Sequence, residues 1–454
     1  MAAPGAARQD IEGAIDAIAL TRTQWAVFLL CALMMFVDGF DLQVLSLTVP
    51  FMARDWGVAP QAFSLAFSAG PVAMGIGGGL FAPFGDRIGR KPMLVAALLL
   101  VGASTLAIAF AATPMQVAAW RLPTGIGMGI ASVNALSLTG EYAPARRRFL
   151  IMSLMTCNMA FGAFVSAMVA PALLADHGWR ALFVVGGLAA VALGAAVAAV
   201  CPESIKWLLV RRPGSGRIAA ISRRLLPGAD PASLFAVVDG DAGRRSIFAL
   251  FAPQHRTRTL VIWLACASGG FSLYLMMSWL PTLLIGAGWS DGAAMHGAAA
   301  IQLGGIFGSL VMAYAVDRGR LLAALLCGYA GAGASLLAIA LLPGGVALWT
   351  ALFVLIGAGT AGMQIVWIAI ATIFFPLDLR ATSAGWTSAV SRIGAVSAPF
   401  AGGAAMAAGV GASGMMLGLV VPVGLSAAAL LLARRHFLAV PGAAQPLASG
   451  GASR

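Results

Sequence analysis

Gly85-Asp86-Arg87-Ile88-Gly89-Arg90-Lys91 is a short charged break between two long apolar runs, and Asp317-Arg318-Gly319-Arg320 is a shorter version of it 231 residues later. A Gly-rich turn crowded with arginines and flanked by apolar stretches of roughly 20 residues is the pattern of two membrane spans joined on their inner side. A second landmark repeats with the first. Pro144 with Arg146 corresponds to Pro376 with Arg380, at offsets of 232 and 234 residues. Two landmarks at nearly one offset argue for internal duplication. Twelve apolar runs fit around them, at 24–51, 61–84, 92–112, 114–140, 149–175, 179–201, 258–285, 292–316, 320–342, 345–375, 381–409 and 412–434. The fold expected is an all-α polytopic membrane protein with twelve transmembrane helices in two six-helix pseudo-repeats. Gly and Pro inside several runs are tolerated where neighbouring helices satisfy the freed backbone groups.

Composition agrees. Of 454 residues, 60% are hydrophobic and 10% charged, against about 25% charged in soluble domains. The mean hydropathy is +0.93. These values exclude an ordinary soluble enzyme, a disordered chain and a disulfide scaffold. The 56 glycines suit helices that approach closely in lipid. Cys31, Cys157, Cys201, Cys266 and Cys327 fall singly, and the four histidines are scattered. Neither type shows ligand or redox spacing, so no metal and no cofactor are expected. The net charge of +12 is spread over short breaks rather than one patch, which argues against nucleic acid.

The same charges orient the chain. With the N-terminus inside, only Arg54 and Arg180 fall outside and only Arg121 and Arg392 fall within spans, out of 28 basic residues. That asymmetry follows the positive-inside rule and puts both termini in the cytoplasm. The expected organisation is a cytoplasmic tail (1–23), a six-helix bundle (24–201), a central cytoplasmic loop (202–257), a second bundle (258–434) and a cytoplasmic tail (435–454). The first apolar run is too long for a signal peptide and contains two aspartates.

Ionisable groups inside a span are costly and usually functional. Asp38 and Asp41 lie three apart on one helix face. At about 1.5 Å per residue, Asp38 is roughly 20 Å from the inner end of its helix, and Arg392 roughly 17 Å from its own. Asp41 and Arg121 are roughly 14 Å and 10 Å from the outer side. All four are expected to line one central cavity. The second half has Gly269 and Gly270 where the first has its acids, and the first has Ala160 near the place of Arg392. A carboxylate desolvated in a bundle can hold a proton near neutral pH, which makes Asp38 or Asp41 a proton carrier. An arginine offers a carboxylate a two-pronged fork, which makes Arg392 or Arg121 an anchor for an organic anion. The alternative is that Asp41 and Arg121 form a structural bridge. A parallel six-plus-six repeat puts its site between the halves near the midplane. Phe40, Asn134, Tyr274, Gln302, Gln364, Trp367 and Trp386 are further candidates for that site by helix position. Trp263 and Trp349 are assigned to membrane interfaces.

Gly85 through Lys91 resembles the signature loop of the major facilitator superfamily, with Ala82 where that signature begins with Gly. Pro202-Glu203-Ser204-Ile205-Lys206-Trp207-Leu208 resembles the segment that often follows the sixth helix in that superfamily. Physically, Asp86 can pair with a neighbouring Arg or a helix N-terminus across the half interface and release it in another conformation. Gly85, Asp86, Arg87, Gly89, Arg90, Arg146, Asp317 and Arg318 are accordingly read as gating residues, against the alternative of a solvated basic turn.

Within the superfamily, Asp38-Gly39-Phe40-Asp41 resembles the D-G-x-D motif of the aromatic acid:proton symporters. Arg121 through Gly129, Trp279 through Leu284, and Phe375 through Gly394 resemble that family's further motifs. Ser383 and Ser391 replace glycines, and Val133 stands where a proline often precedes Asn134. The resemblance implies transport roles for Asp38, Asp41, Arg121 and Asp86, and adds Glu141 to the gate. It implies a symporter that imports an aromatic carboxylate, such as a hydroxybenzoate or benzoate, with a proton, by alternating access. The expected setting is the cell inner membrane, with a monomeric transport unit in the lipid bilayer. The alternatives are a facilitator for an aliphatic acid, a sugar or a drug, and a membrane sensor. A neutral sugar gives Arg392 no partner, and residues 202–257 and 437–454 are too short for a sensor's folded domain.

Overall fold

The computed structural model describes residues 9–226, 234–235, 247–318, 320–342, 344–373 and 375–438. Residues 1–8, most of the tail assigned to 435–454, part of the central loop, Gly319 of the second landmark and the side chain of Asp317 lie outside the described set. Twelve long helical segments account for most of the rest. They are α1 Arg22–Trp56, α2 Pro60–Ile88, α3 Arg90–Ile108, α4 Pro114–Tyr142, α5 Ala145–His177, α6 Trp179–Val200, α7 Pro253–Gly286, α8 Asp291–Asp317, α9 Leu321–Leu341, α10 Val346–Ile373, α11 Leu377–Ala407 and α12 Ala412–Leu438. Ten of them contain stretches long and apolar enough to cross a membrane. The other two, α4 and α11, carry Arg121 and Arg392.

One helix is irregular for a readable reason. In α2 a π turn over Gly77–Phe81 runs into a 3-10 turn over Ala82–Phe84. Gly77-Gly78-Gly79 holds a regular helix poorly on its own, and Pro83 cannot donate to the ladder. The chain then turns at Gly89, whose φ of 118° excludes side-chain-bearing residues.

The chain packs as two compact units. Unit 1 comprises Met1–Leu42, Val72–Gly162 and His177–Gly240. In it α3 lies against α4 and α6, and Met34, Leu94, Leu98, Ala131 and Leu138 are fully or almost fully buried between helices. The crossing of α1 with α5 is a backbone contact. A Cβ at Gly39 would overlap the Met159 carbonyl, and one at Gly162 would overlap the Phe36 carbonyl. Close crossings of this kind recover dispersion energy where lipid removes the hydrophobic drive.

Unit 2 comprises Gln43–Pro71, Ala163–Asp176 and Asp241–Arg454. It therefore joins α7–α12 to the end of α1, the start of α2 and the end of α5. Trp279 is fully buried and donates its indole N–H to the Pro399 carbonyl at 3.1 Å, fixing α7 to α11. Phe67 sets its ring edge on Trp279 at 5.0 Å, and Ser68 donates to the Val396 carbonyl at 2.8 Å. Arg54 meets Asp291 at 3.4 Å on the exposed rim.

The segment before α1 is more than the plain tail expected from residues 1–23. Gln9–Asp10 pairs in parallel with Leu234–Phe235, and Ile11–Asp16 forms a short helix. Ile11, Ala14 and Ile15 share one face by their spacing and are buried in the core of unit 1. Glu12 bonds the Lys206 ammonium at 2.7 Å and faces Arg148 at 3.6 Å. Asp16 accepts the Ala145 N–H at 2.5 Å. The segment thus ties the start of α5 to the helix Ile205–Arg211. The Lys206 hydrogen bond holds the Glu12 carboxyl below its ordinary value of 4.5, against an opposing push from partial burial, with the charges of Lys206 and Arg148 adding to the lowering. A depressed carboxyl contributes stability above its unfolded value and loses it as the pH falls through the folded one. Hydrogen exchange over residues 11–16, taken relative to its intrinsic rate at each pH, is therefore expected to accelerate as the pH drops below 4.5. In Glu12→Gln it is expected to be fast already at neutral pH, with little further acid dependence.

Candidate functional site

Asp38, Asp41 and Arg121 are 1%, 2% and 3% exposed. The continuous helix α1 carries both acids into the interior of unit 1. There Arg121 of α4 places Nη1 at 2.5 Å from Asp41 Oδ2. Thr105 of α3 donates its hydroxyl to Asp41 Oδ1 at 2.8 Å. A further layer supports this one. Thr124, one turn beyond Arg121, donates to Ser104 Oγ at 2.7 Å, and Ser104 donates to the Leu100 carbonyl at 2.6 Å. Three helices are thus joined by one polar network whose central charge is balanced.

Asp38 differs. Neither of its carboxylate oxygens has a hydrogen-bond partner among the described residues, although both are buried. An ionised carboxylate in that state carries a desolvation cost of several kcal/mol with no compensating cation. A proton on the carboxyl removes most of that cost. The two acids three residues apart therefore hold different means of neutralisation: Asp41 a guanidinium, Asp38 none from the described side chains.

The other candidates divide by location. Phe40 is buried with its ring edge over Gly186 of α6. Asn134 does not join Asp41 and Arg121. It is fully buried, donates to the Ile130 and Ala82 carbonyls, and accepts from Arg90 Nη1 at 3.4 Å. Gln302 donates to Gln43 Oε1 at 2.9 Å, and Gln43 in turn donates to Ser46 at 2.8 Å. Gln364 donates to the Ser391 hydroxyl and to the Cys266 carbonyl. Trp367 is fully enclosed, with its indole donating to the Tyr329 hydroxyl at 2.5 Å. Trp386 is 42% exposed and pairs with Trp263 at 6.3 Å, in company with the tryptophan assigned to a membrane interface. Tyr274 and Arg392 are half-buried, and Arg392 makes no ion pair among the described residues.

At the equivalent positions of α7, unit 2 has no acids and its own neutral side chains take up the space. A Cβ at Gly269 would meet Gln364 Oε1, and one at Gly270 would meet the Ser391 carbonyl. The side chains missing from α7 leave room for Gln364 and for Ser391, the residue before Arg392.

The signature turn forms a second cluster. Asp86 pairs with Arg90 of its own turn at 2.6 Å, the partner that i,i+4 spacing supplies most directly. Arg90 also reaches Glu141 at 3.5 Å. Arg87 lies over the Phe84 ring and Arg318 over the Tyr314 ring. Gly85 leaves no room for a Cβ beside Asn134. Arg146 donates to the Asp16 carbonyl at 3.3 Å. Glu203 is the residue whose part here the sequence reading missed. Its Oε1 accepts the N–H groups of Arg90 and Lys91 at 2.9 and 3.1 Å, capping the N-terminus of α3. Tyr142 donates to the Glu203 carbonyl at 2.7 Å, and Trp207 donates to the Asp86 carbonyl at 3.0 Å. Thr105 was also missed. The only trace of it in sequence is the polar pair Ser104-Thr105 inside an apolar run.

The sequence profile of the Major Facilitator Superfamily matches residues 31–399. The 4-hydroxybenzoate transporter PcaK of Pseudomonas aeruginosa is 33% identical over 94% of this chain and 96% of its own length. The gallate transporter of Pseudomonas putida is 32% identical over 94% and 95%, and the 3-(3-hydroxy-phenyl)propionate transporter of Escherichia coli is 32% identical over 85% and 88%. Among solved structures, a bacterial homologue of the human lysosomal transporter Spinster, inward-facing and unoccupied, superposes with a TM-score of 0.68 at 17% identity, over 92% of this chain and 98% of that one. A D-xylose-proton symporter superposes with a TM-score of 0.66 at 18% identity, over 93% and 99%.

Removing one partner of a buried pair leaves the other charge uncompensated, at a cost of about 3–5 kcal/mol. Arg121→Ala is expected to lose stability on that scale in thermal unfolding of the detergent-solubilised protein. Adding Asp41→Asn is expected to restore part of it. Strictly additive losses would show that the two side chains are not coupled.

Proposed function

Because the chain belongs to the Major Facilitator Superfamily, a family of transporters and not of enzymes, we propose that it is a symporter importing an aromatic carboxylate, a hydroxybenzoate or a benzoate, together with a proton by alternating access. The observation that carries this reading is the buried carboxyl of Asp38, unpartnered among the described residues, beside the paired Asp41. Relatives that transport 4-hydroxybenzoate, gallate and 3-(3-hydroxy-phenyl)propionate support the substrate class.

The roles follow from the charges. Arg121 and Asp41 neutralise each other and keep α1, α3 and α4 in register. The proton taken up by α1 therefore goes to Asp38. Arg392, free of any ion pair among the described residues, is the anchor of the organic anion, and its fork fits a carboxylate. One proton with one monoanion moves no net charge. Arg90, bonded to Asp86 and Glu141, is the centre of the gating cluster. Residues 24–201 and 258–434 are the two six-helix bundles of the proposal, joined by 202–257. Both termini are cytoplasmic, the setting is the inner membrane, and the transport unit is the monomer.

Proteoliposomes with an imposed pH gradient test the reading with a panel of labelled carboxylates and D-xylose. The wild-type protein is expected to accumulate 4-hydroxybenzoate or a related benzoate and to ignore the sugar. Asp38→Asn is expected to abolish gradient-driven accumulation and to retain exchange of labelled for unlabelled acid. Arg392→Lys is expected to raise the KM for the acid roughly 10- to 100-fold, the worth of a hydrogen bond to a charged group. Sugar uptake insensitive to Asp38→Asn would overturn the proposal.

A further inference from the structure

Unit 1 contains a cavity of about 960 Å³ that neither the proton nor the substrate reading uses. Its walls are the start of α1, the start of α3, the end of α6 and the amphipathic helix Gly216–Leu225 of the central loop. Four cations line it: Arg22, Lys91, Arg217 and Arg224. None of them makes an ion pair among the described residues. The single acid on the wall, Glu203, is already occupied with the N–H groups at the head of α3. The cavity therefore holds a surplus of positive charge with no ion-pair partner among the described residues.

Its other side is apolar. Leu99 of α3 and Val200 of α6 line it and are 44% and 59% exposed on helices that cross the membrane. The loop helix is built to face it. Arg217, Ala220, Ile221 and Arg224 all line the cavity and follow the i, i+3, i+4, i+7 spacing of one helix face. Ile218, Ser222 and Leu225 are buried on the helix's other side. Arg223 turns away from the cavity and donates to the Ala219 carbonyl.

We propose that this cavity binds one anionic phospholipid, with its phosphate among Arg22, Lys91, Arg217 and Arg224 and an acyl chain along Leu99 and Val200. A basic pocket against spanning helices, at the end of the bundle where positive charge collects, has the chemistry that recognises such headgroups. A free phosphate would satisfy the cations and leave the apolar wall wet. A zwitterionic lipid would fill the wall and bring no net negative charge.

The test is lipid titration of the full-length protein in detergent, read by native mass spectrometry and by thermal unfolding. Phosphatidylglycerol, phosphatidylcholine and inorganic phosphate are compared. The wild-type protein is expected to retain one phosphatidylglycerol in preference to phosphatidylcholine, with a matching rise in Tm, and Arg223→Gln is expected to behave like it. In Arg217→Gln/Arg224→Gln the affinity is expected to fall about 30-fold, the loss of two interfacial cations. Ala220→Trp sets a bulky ring on the cavity wall between Arg217 and Arg224 without changing charge and is expected to weaken retention of the lipid as well. Equal retention in wild type, the double variant and Ala220→Trp would overturn the proposal. So would equal stabilisation by inorganic phosphate, which would make the site one for a small anion alone.

Discussion

A charge taken out of water has to be matched where it lies, and the interior of unit 1 is arranged around that constraint. Asp41 meets it with Arg121 and Thr105. The match holds only because α1, α3 and α4 approach one another closely, and Ser104 and Thr124 join the same contact from behind. Asp38, one helical turn away, is left without such a match among the described residues. The pair Asp41–Arg121 is thus a structural contact, and Asp38 is the acid it leaves over. It is the bridge that the sequence offered as an alternative, while the carboxyl of its neighbour Asp38 has no hydrogen-bond partner among the described residues and is the proton carrier of the proposal.

The basic end of unit 1 obeys the same rule at lower stakes. Arg90 is shared between Asp86, Glu141 and Asn134. Glu203 places its negative charge on the positive N-terminus of α3, where the helix dipole favours it. Tyr142 and Trp207 then tie that carboxylate's own backbone and the signature turn together. Two motifs more than a hundred residues apart are physically one cluster. Lys206 extends it to Glu12, so the segment before α1 becomes part of the same face.

Duplication supplied a frame that the two halves use differently. The first half spends its α1 interior on acids. The second has glycines at the matching places on α7, and Gln364 and Ser391 occupy the space. A neutral amide and hydroxyl need only hydrogen bonds, so this interior can be satisfied without an ion pair. Arg392 stands next to that neutral patch and keeps its charge uncommitted among the described residues.

Apolar runs, positive charge asymmetry and the repeated turn were enough to read twelve helices from sequence, because burying backbone in lipid permits few solutions and the spacing of charges marks their ends; the family came from the resemblance of particular motifs, Gly85 through Lys91 and Asp38 through Asp41. Helix spacing also sufficed to put Asp38 and Asp41 on one face. Tertiary packing alone decided the rest. Helix rotation set Asn134 beside Arg90 and away from Asp41, closed Trp367 against Tyr329, and turned Trp386 outward to Trp263. It also chose Asp41 over Asp38 as the partner of Arg121. Residues three apart on a helix differ by only about 60° in direction, and which of them meets a cation depends on a neighbouring helix whose rotation no local pattern encodes.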